Sequence, residues 1–175
     1  MRRLALLTVA LAVAPLVTVG AQEGWVVTYS SFGPVRFGMT TTQAGRALGL
    51  AVTFAPEMAP DDPCGHARWE GKPQSLRVRV MHDTIVGVVV ERPSTVRTAD
   101  GIGLGSTEQQ LRELYADRLT VDPRMHDDDG HFFTVAPVAP ADSAYRLIFE
   151  TDGRGTVVGY RAGLLSAVEY AEWCM

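Results

Sequence analysis

The chain has 175 residues, 46% hydrophobic and 21% charged, a mixture that describes one globular domain or two small ones and excludes a disordered chain. Its formal net charge of −4 offers no basic face to neutralise phosphates, so a nucleic-acid partner is not expected.

The N-terminus reads as a secretory signal over residues 1–21. Met1-Arg2-Arg3 is a positive start, an apolar run from Leu4 to Val19 is interrupted by Pro15, and Val19-Gly20-Ala21 places short residues at the cleavage position, with a mature start near Gln22. An uncleaved anchor is the alternative, but the run is shorter than the roughly 20 residues a spanning helix needs. No later stretch is apolar enough to cross a bilayer, so the mature chain is expected to have no membrane span and to reside in the periplasm or the secreted space.

After a short aromatic segment, Trp25-Val26-Val27-Thr28-Tyr29, the turn pair Gly33-Pro34 leads into Val35 and Phe37. Thr40 then reads as a helix N-cap with Gln43 as its capping-box partner; Ala44, Ala47 and Leu48 share a face, and Gly49 closes the helix. Val52-Thr53-Phe54 suggests a strand end, followed by a Pro- and Asp-rich loop. Gly65 to Glu70 reads as a strand, and Leu76-Arg77-Val78-Arg79-Val80 alternates, Leu and Val on one face and Arg on the other. A hairpin turn at His82-Asp83 leads to a valine-rich central strand from Ile85 to Glu91.

The opening signal then returns. Ile102 and Leu104 stand in for Val35 and Phe37, Thr107 and Gln110 repeat the capping box, and Leu111, Leu114 and Tyr115 repeat the apolar face. Gly101, Gly103 and Gly105 suit a tight turn into this helix better than a phosphate cradle, since no lysine follows. Residues 121–131 read as a polar loop. Phe132 to Val135 and Tyr145 to Glu150 read as strands, Asp152-Gly153 as a hairpin turn, and Thr156 to Arg161 as the returning strand. Residues 167–173 read as a final edge strand or a helical turn, the strand being preferred. Each half thus runs turn, helix, strand, hairpin, with His66 matching His131 and Asp83 matching Asp152. The expected fold is α+β: two αβββ repeats, residues 22–95 and 96–175, forming one unit with the helices packed on one face of a shared antiparallel sheet.

Cys64 and Cys174 are the only cysteines. In an exported chain an even count suggests a disulfide; free thiols or a two-Cys metal site are the alternatives. The bridge would close a loop of roughly 110 residues and contribute about 4–5 kcal/mol in the chain-entropy account.

The pattern Gly38-Met39-Thr40-x-x-Gln43-Ala44 with Leu48-Gly49 resembles the signature of the small SmpA/OmlA outer-membrane lipoproteins, and the tandem order of elements resembles the two-repeat beta-lactamase inhibitor protein fold. The resemblance implies helices on one face of a curved sheet and an exported protein that binds other proteins. The chain departs from both groups: it has no lipid-attachment cysteine, and its one candidate bridge joins the halves instead of lying within each. The inhibitor group presents an acidic hairpin turn to its target, which makes Asp83 an interface candidate by resemblance.

Two further features carry candidate sites. His126, Asp128 and His131, in a run of two histidines and three aspartates, could offer metal ligands, although the spacing matches no standard metal loop and a solvated loop before a strand is the plainer account. Among the aromatics Trp69, Phe132, Phe133, Tyr160, Tyr170 and Trp173, two or three sharing an open sheet face would form a protein-binding patch, with Trp69 and Phe133 as the chosen anchors. No nucleophile constellation stands out, so no catalytic residue and no cofactor are expected. The leading expectation is a non-enzymatic exported module that binds an envelope or secreted protein. The alternatives are an enzyme or metal-dependent binder using residues 126–131, with His66 brought near, and a small-ligand carrier with an apolar cavity between the halves.

Overall fold

The structure, a computed structural model, describes the backbone of residues 25–54, 63–69, 76–124, 129–170 and 174, and the side chains of all of these except 52–54, 68 and 69. In chain order the elements are β1 (Val26–Val27), β2 (Ser31–Phe32), β3 (Val35–Arg36), α1 (Thr41–Leu48), β4 (Val52–Phe54), β5 (Cys64–Trp69), β6 (Leu76–Met81), β7 (Thr84–Val90), β8 (Arg97–Thr98), α2 (Glu108–Tyr115), β9 (Leu119–Pro123), β10 (His131–Val135), β11 (Tyr145–Thr151), β12 (Val157–Leu164) and α3 (Leu165–Val168). The fold is mixed α and β with the sheets dominant. The proposed signal segment, 1–21, lies outside the described residues.

Both long helices begin as their sequences dictate. Thr40 Oγ1 accepts from the Gln43 amide while the Gln43 side chain accepts from the Thr40 amide, and Thr107 and Gln110 repeat this reciprocal cap. Gly49 closes α1 with φ 66°, a left-handed conformation that glycine adopts without steric cost.

Eight strands form one antiparallel sheet in the order β4-β5-β6-β7-β12-β11-β10-β9. A small sheet, β3-β2-β1-β8, closes one end, and its β1–β8 pair is parallel. The large sheet reads outward from its middle pair, β7 and β12, so four strands follow each long helix where three were expected. At the two edges lie β4, where residues 52–54 read as a strand end, and β9. The second was read as part of a polar loop, yet in β9 half-buried Leu119 and Val121 alternate with exposed Thr120 and Asp122, and Pro123 sits at the strand's end on the sheet edge, where a missing donor is tolerated.

One buried cluster fills the space between the large sheet, α1, α2 and the small sheet, with Phe32, Val35, Ala44, Val78, Val88, Leu111, Tyr115, Phe133, Phe149 and Tyr160 among its members. Strand alternation supplies this face from every other residue of β6, β7, β10, β11 and β12. The intervening residues point the other way, and there the expectation of helices on one face needs correction. Residues 165–168 are neither edge nor strand: they form α3, which lies against the opposite face of the sheet. Cys64 and Cys174 are bonded, tying the chain's end to the start of β5.

Candidate functional site

The face opposite α1 and α2 is built around two arginines. Arg79 lies between the core residues Val78 and Val80, and Arg161 between Tyr160 and Ala162, so the alternation that buries their neighbours turns both guanidiniums away from the core cluster. Neither reaches bulk water; each is only 2% exposed. A buried guanidinium must find acceptors, and these find the end of α3. Arg79 Nη1 donates to the carbonyls of Ala167 and Tyr170, and Arg161 donates from Nε to Val168 O and from Nη2 to Glu169 O. Four consecutive carbonyls, 167 to 170, are thus received by two side chains. Those of Ala167 and Val168 belong to α3 and those of Glu169 and Tyr170 follow it; carbonyls at a helix C-terminus lack intrahelical partners, and cationic groups are favoured there.

The seat beneath α3 is shaped by two glycines. Gly87 and Gly163 are direct partners across β7 and β12. A Cβ on either would lie within 3.1 Å of Val168 Cγ1, so the pair forms the notch that Val168 fills. Val89 and Ile148, register partners of Arg161 on β7 and β11, flank it as buried apolar residues. Further along, Arg161 pairs with Glu150, Arg124 Nη2 stands 4.0 Å from the same carboxylate, and both guanidiniums lie over the Phe132 ring at 5.1 and 5.8 Å. Burial, with the nearby charges of Arg161 and Arg77, brings the Arg79 guanidinium down to about 10; burial lowers Arg161 as well, against the opposing pull of Glu150. Arg79 therefore keeps its charge at neutral pH.

The sequence candidates fall elsewhere. Phe133 is 0% exposed in the core under Arg112, so its role as an exposed anchor is overturned: it shares the helix-bearing face with Phe149. Tyr160 is core too. Trp69 has its backbone in β5, but its side chain, like all of Trp173, lies outside what is described. Asp83 sits exposed in the β6–β7 turn with φ 58°, and its carboxylate accepts from Thr41 Oγ1, which fixes the turn to the first residue of α1.

His126 and Asp128 lie outside the described residues. His131 is described: its Nδ1 is 2.8 Å from Glu108 Oε1, and Thr151 Oγ1 donates to the same oxygen at 2.7 Å. Burial raises the Glu108 carboxyl, but the bonds from Thr151 and His131 and the charges of His131 and Arg112 outweigh it and hold it below the ordinary value. Within the described part of that run, His66 is not brought to His131. His66 is opposite Arg79 in register and so stands on the α3 face, while His131 packs edge-on against core Phe133 on the other face. Successive residues of a strand face opposite sides, so a shift of one position is enough to separate two such side chains. Among the described residues no group of three or more His, Cys, Asp or Glu is placed to hold a metal ion. A depression of about 570 Å³ runs beside α1, lined by Thr41, Thr42, Arg46 and Leu50 among others, and does not separate the halves.

The residues that define the α3 face, Arg79, Arg161, Gly87 and Gly163, were not singled out from sequence. The available signal was the arginine placed within otherwise apolar strands, which alternation alone assigns to solvent. No protein-family model, no curated protein and no solved structure matches this chain. Among the described residues no helix is long and apolar enough to cross a membrane.

Proposed function

We propose that the chain is an exported, non-enzymatic protein-binding module and that it receives polypeptide on the sheet face opposite α1 and α2. The observation that carries this reading is the capture of four consecutive main-chain carbonyls by buried Arg79 and Arg161. Backbone carbonyls are common to every polypeptide, and the glycine notch adds a preference for a small or β-branched side chain. The Cys64–Cys174 bond and the signal-like residues 1–21 support export to the periplasm or beyond.

The same reading treats residues 22–95 and 96–175 as two copies of one unit, in the manner of the tandem inhibitor and SmpA/OmlA groups. Corresponding hydrogen bonds support it. Gly38 N donates to Ile85 O as Gly105 N does to Val157 O, and Thr41 N to Asp83 O as Glu108 N does to Gly155 O. Under this correspondence Val78 and Phe149 are both apolar on the helix-bearing face, while Val80 there is replaced by Thr151, which binds Glu108. The other face changes chemistry, as at Arg79 and Glu150, the respective partners of Gly87 and Gly159.

The test uses the full chain carrying Cys64→Ser, Cys174→Ser and Val168→Asp, which frees the face of its own segment. It is titrated with a synthetic peptide of residues 165–175 carrying Cys174→Ser. Saturable binding with a dissociation constant on the order of 10–100 µM is expected. It should be lost when the peptide carries Val168→Asp or the folded chain carries Arg161→Met. A peptide that fails to bind a folded, emptied chain refutes the reading.

A further inference from the structure

The face just described is occupied in this molecule by its own C-terminus, and its occupant is held twice. Leu164 attaches it directly to β12, and Cys174 returns it covalently to β5. Between these anchors Ala167 and Val168 are buried to 1% and 0%, whereas Glu169 and Tyr170 are exposed. Of the described residues after Leu164, Ala167 and Val168 are the buried ones. Cys174 is itself exposed, and Cys64 is half-buried at the start of a strand one place from the sheet edge. The tether is therefore open to attack from solvent while the arginines beneath the segment are not.

We propose that residues 165–170 are a resident pseudo-ligand that closes the arginine face, and that thiol–disulfide exchange at Cys174 opens it to a partner polypeptide ending a short helix with a small residue followed by a β-branched one. This rests on the polypeptide-binding reading above. The reductant is a dithiol. One thiolate attacks Cys174 Sγ, the bond to Cys64 breaks and Cys64 leaves as a thiolate. The second thiol of the reductant then displaces Cys174, so the dithiol leaves as a disulfide and both protein cysteines are reduced. Once the tether is cut, the segment is anchored at one end only, and the high local concentration that two anchors impose falls. A partner in trans then competes for Ala167's and Val168's places and for the two guanidiniums. The pattern of buried groups defines the partner: it must offer unsatisfied helix-terminal carbonyls to Arg79 and Arg161 and a side chain of valine size to the notch at Gly87 and Gly163.

The experiment takes the wild-type full chain, oxidised and then treated with dithiothreitol, and titrates it with the fluorescent 165–175 peptide carrying Cys174→Ser. Reduction should raise the apparent affinity about tenfold or more, reoxidation should reverse it, and near-ultraviolet circular dichroism should show the chain folded throughout. Equal binding by the oxidised and reduced chains overturns the proposal. So does a reduced chain that stays closed while the Val168→Asp chain binds, because the segment then needs no tether; in that case the binding face itself survives. Failure of both chains to bind removes the face as well. Loss of the folded signal on reduction also overturns it, since the bond then serves stability and not access.

Discussion

Glu108 shows how much a single side chain does in this protein. As the first residue of α2 it lies where a carboxylate is favoured by the exposed amides and dipole of a helix start. It also gathers Thr151 from β11 and His131 from β10, so one carboxylate fastens helix to sheet. Its folded pKa lies below the ordinary 4.5. In acid the unfolded chain therefore takes up the proton first. The stabilisation is complete above the unfolded pKa and is lost as pH falls through the lower, folded one. Chemical unfolding followed from pH 7 downward should show stability declining below about pH 5, and Glu108→Gln should flatten that decline while lowering stability at pH 7. An unchanged pH profile in the variant would show that other carboxylates carry the acid sensitivity. Asp83 does a comparable job in the first half with different chemistry, through the Thr41 hydroxyl. Its position in a hairpin turn is thus explained by what it ties down.

At the scale of elements, β7 and β12 are the middle pair of the large sheet, and where Gly87 faces Gly163 they leave no room for an added side chain. Gly163 has φ 156°, and a Cβ there would sit 2.4 Å from Val86 O and 2.6 Å from Gly87 Cα. The obstacle is backbone on both sides, which cannot swing away. Gly163→Ala should therefore destabilise by about 3 kcal/mol, the upper end of the cost of forcing a methyl into a packed site. It should also unseat α3, since Val168 Cγ1 lies 3.0 Å from the same point. Urea unfolding measures the first effect, and the rate of proteolytic cleavage at exposed Tyr170 measures the second. A variant as stable and as resistant as the parent would mean that the strands part easily at this point. α3 itself, four residues long, is too short to persist alone. Its helical form is imposed by the guanidiniums that receive its carbonyls.

Over the whole molecule, the two halves share one sheet, one cluster of buried side chains and one covalent link. β1 from the start of the chain pairs with β8 beyond the end of β7, so even the small sheet crosses between the halves. Unfolding should consequently be a single transition, with far-ultraviolet circular dichroism and tryptophan fluorescence giving coincident curves. Amide exchange should be slowest in β6, β7, β11 and β12. Two separated transitions would mean that residues 22–95 and 96–175 are independent units joined at β7–β12. Much of this architecture was legible beforehand where the signals are local. Both helices, their caps and most hairpins follow from residues three or four places apart. The α3 face was not legible, because Arg79 and its acceptor Ala167 are 88 positions apart, and no local pattern marks an arginine whose partners are distant carbonyls.

Local signals in the chain set the two capped helices, most of the alternating strands and the turn chemistry, and the count of two cysteines suggested the bond between Cys64 and Cys174 that the structure contains. These depend on near neighbours or on there being no other partner. The tertiary structure decided which side each strand residue faces. It moved Phe133 into the core and separated His66 from His131, since one step of register exchanges the two faces of a sheet. It also decided that the C-terminal residues form a helical turn on Arg79 and Arg161, because a buried guanidinium takes its acceptors from whatever backbone the fold brings within reach.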